Sequence, residues 1–209
     1  MLRLEGGSKK SIILLHEIYG LNDHIRQYAE HFFRTGYDIL CPNFIHKEKA
    51  FTYDDEQAAY THFINQIGFD QASEEISSLI KQESVHYEEI HVVGFSIGAT
   101  VAWLCSRMKE VTTVSGVYGS RIRDALNIEP ACPVLLVYGE EEKSFDVKKL
   151  AASLTAENIF VHIVEGCHGF ADPYGPAYHE QSYKTTLSLI HSFIQREKKV
   201  ITYDDFQID

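Results

Sequence analysis

The sequence has no long apolar run. Its uninterrupted apolar stretches, among them 12–15 and 134–138, fall far short of the roughly 20 residues that a membrane-spanning helix needs. The first is cut by His16 and Glu17 before it reaches the length of a signal-peptide core, so no secretory leader is expected. Cysteine is sparse. Cys41, Cys105, Cys132 and Cys167 stand far apart with no C-x-x-C pair, which excludes a disulfide framework and points to free thiols in a reducing cytoplasm. Positive charge is in deficit, with 19 Lys and Arg against 30 Asp and Glu and a net charge of −11. Such a chain repels phosphate backbones and anionic lipid heads, so neither nucleic acid nor a membrane surface is expected as a partner. The 5 prolines and 13 glycines are scattered singly, with no repeat, low-complexity tract or linker among them. One domain over residues 1–209 is the expectation, at a length that supports one sizeable core.

Metal and nucleotide motifs are missing too. His16-Glu17 opens like H-E-x-x-H, but Gly20 holds the fifth position. Gly94 and Gly98 lack the Lys-Ser/Thr of a phosphate loop and the spacing of a dinucleotide fingerprint. His86 and His91 are read as strand-flanking residues, so neither metal nor cofactor is expected.

What is present is alternation. Short apolar runs at 11–16, 37–41, 89–93, 111–115, 133–138 and 159–164 predict strands. Amphipathic stretches between them predict helices, one capped by Asn22 or Asp23 and closed by Gly36, others over 54–67, 70–82, 97–109, 146–154 and 181–197. The last dozen residues read as a polar tail or an edge extension. Strands that are apolar throughout, alternating with helices, mean a mostly parallel sheet covered on both faces. The chemistry of such sheets sits at the carboxyl ends of the strands.

After the third expected strand comes Gly94-Phe95-Ser96-Ile97-Gly98, a G-x-S-x-G between strand and helix. The turn is so sharp that side chains two before and two after the serine would clash, which is why glycines flank it. Ser96 is the candidate nucleophile. A hydroxyl needs a base, and His168, in the Gly166-Cys167-His168-Gly169 stretch just after the last strand, is the candidate among 11 histidines. An orienting acid belongs after the fifth strand. Glu142, three residues past Gly139, is the first choice and Asp146 the substitute. The order Ser, acid, His is that of the α/β-hydrolases. The oxyanion hole needs two backbone N–H groups, for which Ile97 and, from the turn after the first strand, Ile18 are the candidates. Tyr19 and Tyr118, at strand ends, are pocket candidates, and the stretch carrying Phe44, Phe51, Tyr53, Tyr60 and Phe63 lies where lid or pocket-wall segments are placed.

With these residues in order, the chain resembles the dienelactone hydrolase family from about residue 11 to residue 198. The likeness rests on His16 to Asn22, Gly36-Tyr37 through Cys41-Pro42-Asn43, the Ser96 pentapeptide, Tyr118-Gly119, Tyr138-Gly139 and Cys167-His168-Gly169-Phe170. It implies an α/β-hydrolase fold with a mostly parallel sheet of about six to seven strands, hydrolysis of an ester or lactone, and no cofactor. It also implies a second oxyanion amide beside the family's glutamate, here Glu17. The sequence departs from the family pattern at three points. Ser96 stands where the archetype has cysteine, so Glu17 is left to polarise the site or hold the turn. Glu142 stands where aspartate is usual. Asp172 occupies the place of an arginine that grips a substrate carboxylate, which favours a neutral ester, thioester or lactone. The expected partner is a small ester-like molecule, and the expected state a cytoplasmic monomer or homodimer. Rival readings are a non-catalytic binding or scaffolding protein on the same fold, and a small peptidase.

Overall fold

The computed structural model describes residues 1–195. Along that span the elements are β1 (Leu2–Leu4), β2 (Lys10–Leu15), α1 (Asp23–Arg34), β3 (Asp38–Cys41), α2 (Glu56–Gln66), α3 (Gly68–Glu83) and β4 (Glu89–Phe95), followed by α4 (Ile97–Cys105), β5 (Thr113–Val117), β6 (Val134–Glu141), α5 (Val147–Ser153), β7 (Ile159–Cys167) and α6 (Glu180–Gln195). They build one seven-stranded sheet in the order β1-β3-β2-β4-β5-β6-β7. Only β1 runs antiparallel, pairing Leu2 with Cys41. The α/β-hydrolase architecture expected from the sequence is the architecture found.

The two-residue period of a strand sends alternate side chains to opposite faces, and both faces are filled. Ile13, Leu15, Val92, Val114 and Leu136 point to one side, where α3 adds Ile76 and Ile80 and α4 adds Val101 and Trp103. Ile12, Leu14, Val93, Val117 and Val137 point to the other, where α1 adds Ile25, Tyr28 and Phe32 and α6 adds Ile190 and Phe193. Full burial of each such side chain is worth about 1.5–3 kcal/mol.

This division positions the site. The helix after β2 packs on one face and the helix after β4 on the other, yet β2 and β4 are hydrogen-bonded neighbours, with Leu15 opposite Gly94. The chain therefore parts in opposite directions just beyond Leu15 and Phe95. A crevice at the carboxyl ends of adjacent strands is the consequence.

Several boundaries differ from the sequence expectation. β1 was not anticipated, because three residues are too few to show a period. α4 ends at Cys105 rather than 109, since the Ser106 hydroxyl turns back to donate to the Trp103 carbonyl (2.7 Å) and the Ser106 carbonyl takes the Ala131 N–H (2.8 Å). The following strand starts at Thr113 rather than 111. β4, β6 and β7 all run further than their apolar cores, β7 to Cys167. The expected C-terminal tail lies outside the described residues. Among the described residues no helix is long and apolar enough to cross a membrane.

The start of α1 is fixed by Asn22, whose side chain accepts the Ile25 N–H at 3.2 Å. Replacing a capping asparagine by alanine leaves that donor unsatisfied. Asn22→Ala is expected to lower stability by about 1 kcal/mol, read as a lower urea midpoint at unchanged slope.

Candidate active site

Ser96 caps α4 at the end of β4 with φ 51° and ψ −112°. Positive φ in a non-glycine residue costs on the order of 1–3 kcal/mol, so the surroundings must hold it. They do so by crowding. A Cβ on Gly98 would come within 2.5 Å of the Leu15 carbonyl oxygen and 2.6 Å of that of His16, and one on Gly94 would strike the Gly98 carbonyl. The Ser96 N–H is tied to the Val117 carbonyl on β5 at 2.9 Å. The side chain is left projecting into the crevice.

The register between β6 and β7 brings Glu142 to His168. Gly139 faces Val164, and the next pair is Glu141 with Cys167. The ladder thus spends one more residue on β7 than on β6, a bulge that Gly166 absorbs at φ 111°. The residues following that last pair, Glu142 and His168, are adjacent as a result. His168 Nδ1 lies 3.0 Å from Glu142 Oε2 and 3.2 Å from Oε1. His168 Nε2 lies 2.9 Å from Ser96 Oγ. The carboxylate side chain is 2% exposed and the imidazole 39%. Burial pulls the His168 pKa down, but the hydrogen bond and charge of Glu142, helped by Glu17 and Glu56, outweigh it and leave it above the ordinary 6.5. Asp146, the substitute acid, is occupied elsewhere: its side chain caps α5 by accepting the Lys149 N–H at 3.0 Å.

Ile97 opens α4, where an N–H has no partner within the helix, and Ile18 lies in the Glu17–Gly20 turn, closed by the Gly20 N–H to the Glu17 carbonyl (3.2 Å). Both border a cavity of about 570 Å³ that also contains Ser96 and His168. Tyr19 lines this cavity. Tyr118 does not face it. That side chain is fully buried behind the base, with its ring 4.8 Å from that of His168 and edge-on to Phe170. Of the aromatic stretch, Tyr53 and Tyr60 reach the cavity, Phe44 and Phe63 are core, and Phe51 packs against the core half-buried. A shallower depression along α2, between Asp54 and Gln66, holds none of these groups.

Two features had no signal in the sequence. His16 is buried and stacks on Phe44 at 3.9 Å while its Nδ1 meets the Glu17 carbonyl at 2.6 Å, which stiffens the turn that carries Ile18. Asp172, 2% exposed, accepts from the Tyr53 hydroxyl (2.6 Å) and the Tyr174 N–H (2.9 Å) and lies 3.6 Å from His24 Nδ1. It ties the loop behind the base to α1 and to the segment before α2.

Glu17 is buried at 5% exposure in the cavity wall. Burial, and then the charge of Asp172, push its pKa from 4.5 to about 7, against smaller downward pulls from His168 and Tyr118. Unfolded, the same carboxyl ionises near its ordinary value. Folding is therefore penalised as pH rises through 4.5 to 7, and the penalty is constant above that window. Glu17→Gln is expected to exceed the wild type in stability by up to about 3 kcal/mol at pH 8, with no difference near pH 4, as measured by urea unfolding at both values.

The geometry can now be set beside known proteins. The sequence model of the dienelactone hydrolase family matches residues 3–198. The chain is 35% identical over 201 residues to the uncharacterized protein YczH of Bacillus subtilis (strain 168), covering 95% of this chain and 98% of that one. Among solved structures it resembles a protein of Klebsiella pneumoniae subsp. pneumoniae MGH 78578 provisionally named a dienelactone hydrolase, with TM-score 0.77, 20% identity, and 92% and 89% of the two chains covered. It also resembles P91, a dienelactone hydrolase-like promiscuous phosphotriesterase from metagenomic libraries, with TM-score 0.71, 14% identity, and 92% and 88% covered. At those identities the structures speak for the α/β-hydrolase fold. The family match spans nearly the whole chain, and the protein belongs to the dienelactone hydrolase family of hydrolases.

Proposed function

We propose that the protein is a serine hydrolase that cleaves a small ester, lactone or thioester through an acyl-enzyme. The observation that carries this reading is the continuous chain Ser96 Oγ, His168, Glu142, with contacts of 2.9 Å and 3.0 Å, opening on a cavity. Ser96 attacks the carbonyl carbon as His168 Nε2 takes its proton. Glu142 holds the Nδ1–H and balances the imidazolium charge. The tetrahedral oxyanion faces the Ile97 and Ile18 N–H groups, the first with the α4 dipole behind it. His168 then gives its proton to the leaving oxygen or sulfur, and water repeats the sequence on the acyl-enzyme. Near pH 7 Glu17 is partly protonated, so it sets less negative charge beside that oxyanion than an ordinary carboxylate would. The four cysteines, none of them in a disulfide, suit a reducing compartment, and we read the protein as a cytoplasmic monomer or homodimer.

Ser96→Ala is expected to lower turnover of p-nitrophenyl acetate by about 10³-fold or more with the unfolding transition kept, and to abolish labelling by a fluorophosphonate that marks the wild type. A wild type that resists the label would favour the binding-protein reading.

The base must be neutral to act. Its raised pKa puts the acid limb of kcat/KM above pH 6.5, with activity rising as pH rises through it. Glu142→Gln removes the main upward influences, so the limb is expected to move to lower pH while kcat falls by about 10²–10⁴-fold. A pH–rate series on both proteins reads both effects.

A further inference from the structure

The cavity above Ser96 is chemically two-sided. One wall carries Tyr19, Tyr53 and Tyr60 together with Glu17, Glu56 and Asp172. Tyr19 and Tyr53 meet edge to face with centroids 4.9 Å apart. Glu17 and Asp172 are almost wholly buried, at 5% and 2% exposure. Among the described residues, none of the three carboxylates pairs with a lysine or arginine, and the imidazole nearest Asp172, that of His24 at 3.6 Å, is held neutral near pH 7 by burial, which lowers its pKa to about 4.

The segments after β5 and β6 add Arg121, Arg123 and Lys143 to the lining. The two arginines share one carboxylate, that of Asp124. Arg121 Nε is 2.8 Å from Asp124, and Arg123 lies over the Phe145 ring at 5.4 Å with Asp124 at 3.9 Å. Three acidic groups therefore gather with the tyrosines beside His168, whose titration feels both Glu17 and Glu56, while the basic groups enter from the segments after β5 and β6.

Aromatic faces and carboxylates attract the same ligand. An alkylammonium group gains from the ring quadrupoles and from the carboxylates at once, and a quaternary one sheds its water cheaply. An anionic group in the same place would be repelled. The net charge of −11 raises the concentration of cations near the surface and lowers that of anions. A volume of about 570 Å³ has room for a small ester with such a group.

We propose that the Tyr19–Tyr53–Tyr60 wall, with Glu17, Glu56 and Asp172, is a subsite for an ammonium group, so that the preferred substrates are small esters carrying a cation a few bonds from the scissile carbonyl. The inference rests on the hydrolase reading for its catalytic half and stands alone for its binding half. The reaction is ordinary hydrolysis: the acyl C–O bond breaks, water supplies the hydroxyl of the acid, and the cationic alcohol leaves with the proton from His168.

The test compares kcat/KM for acetylcholine and for 3,3-dimethylbutyl acetate, its uncharged isostere, alongside calorimetric titration of Ser96→Ala with tetramethylammonium. A preference of about tenfold or more for the cationic ester is expected, with saturable ammonium binding. Asp172→Asn and the exposed Glu56→Gln are each expected to narrow the preference severalfold; the second serves if the first fails to fold. Equal or better use of the isostere, with no ammonium binding, overturns the subsite and leaves the hydrolase standing. Ammonium binding without turnover of either ester or of p-nitrophenyl acetate supports the subsite and overturns the hydrolase.

Discussion

The approach of α4 to the end of β2 is the constraint on which the site depends. Gly98 rests against the carbonyls of Leu15 and His16, closer than any side chain would permit. That contact fixes how far β4 can run before the chain must turn, and so where Ser96 stands. It also presses the first turn of α4 against the turn after β2. Ile97 and Ile18 are thereby brought to the same cavity as Ser96. Enlarge either glycine, and the nucleophile and both candidate oxyanion donors lose their common frame together.

Around that frame the molecule accepts two unfavourable placements. Ser96 keeps a left-handed backbone, and Glu17 keeps a carboxyl where ionisation is resisted. Neither contributes to folding. Both lie within the crevice formed where α1 and α4 leave the sheet toward opposite faces, and the two filled cores beneath supply the stability that tolerates them. Asp172 helps to join three segments around the cavity, beside the Tyr28–Ala171, Gln27–Tyr174 and Asn22–Tyr53 hydrogen bonds.

How much of this was legible in the sequence depends on range. Ser96 was legible because its signal is local: strand, five residues, helix. His168 was legible from order along the chain, once the alternation of strands and helices was in place. Glu142 was reached by counting from Gly139, but its contact with His168 is made by the bulge between β6 and β7, and only Gly166 hints at that. β1 was not legible, since three residues hold no period. The end of α4 was not, because a serine hydroxyl and a carbonyl contact with Ala131 decide it rather than propensity. Nor was the Asp172 network, whose members at positions 24, 53 and 172 have no spacing to betray them; the same aspartate, noted only as a departure from the family, proves to be a buried tie.

The three candidate catalytic residues are distributed unevenly across the sheet. Ser96 leaves a central strand, whereas His168 leaves β7, an edge strand among the described residues, and Glu142 its inner neighbour. Margins of a sheet open more readily than its middle, by excursions that spare the rest of the fold. A brief unzipping of that margin would carry the imidazole out of reach of a hydroxyl that has not moved. Competence and foldedness are then separate reserves in this molecule, and the smaller of the two lies at its border.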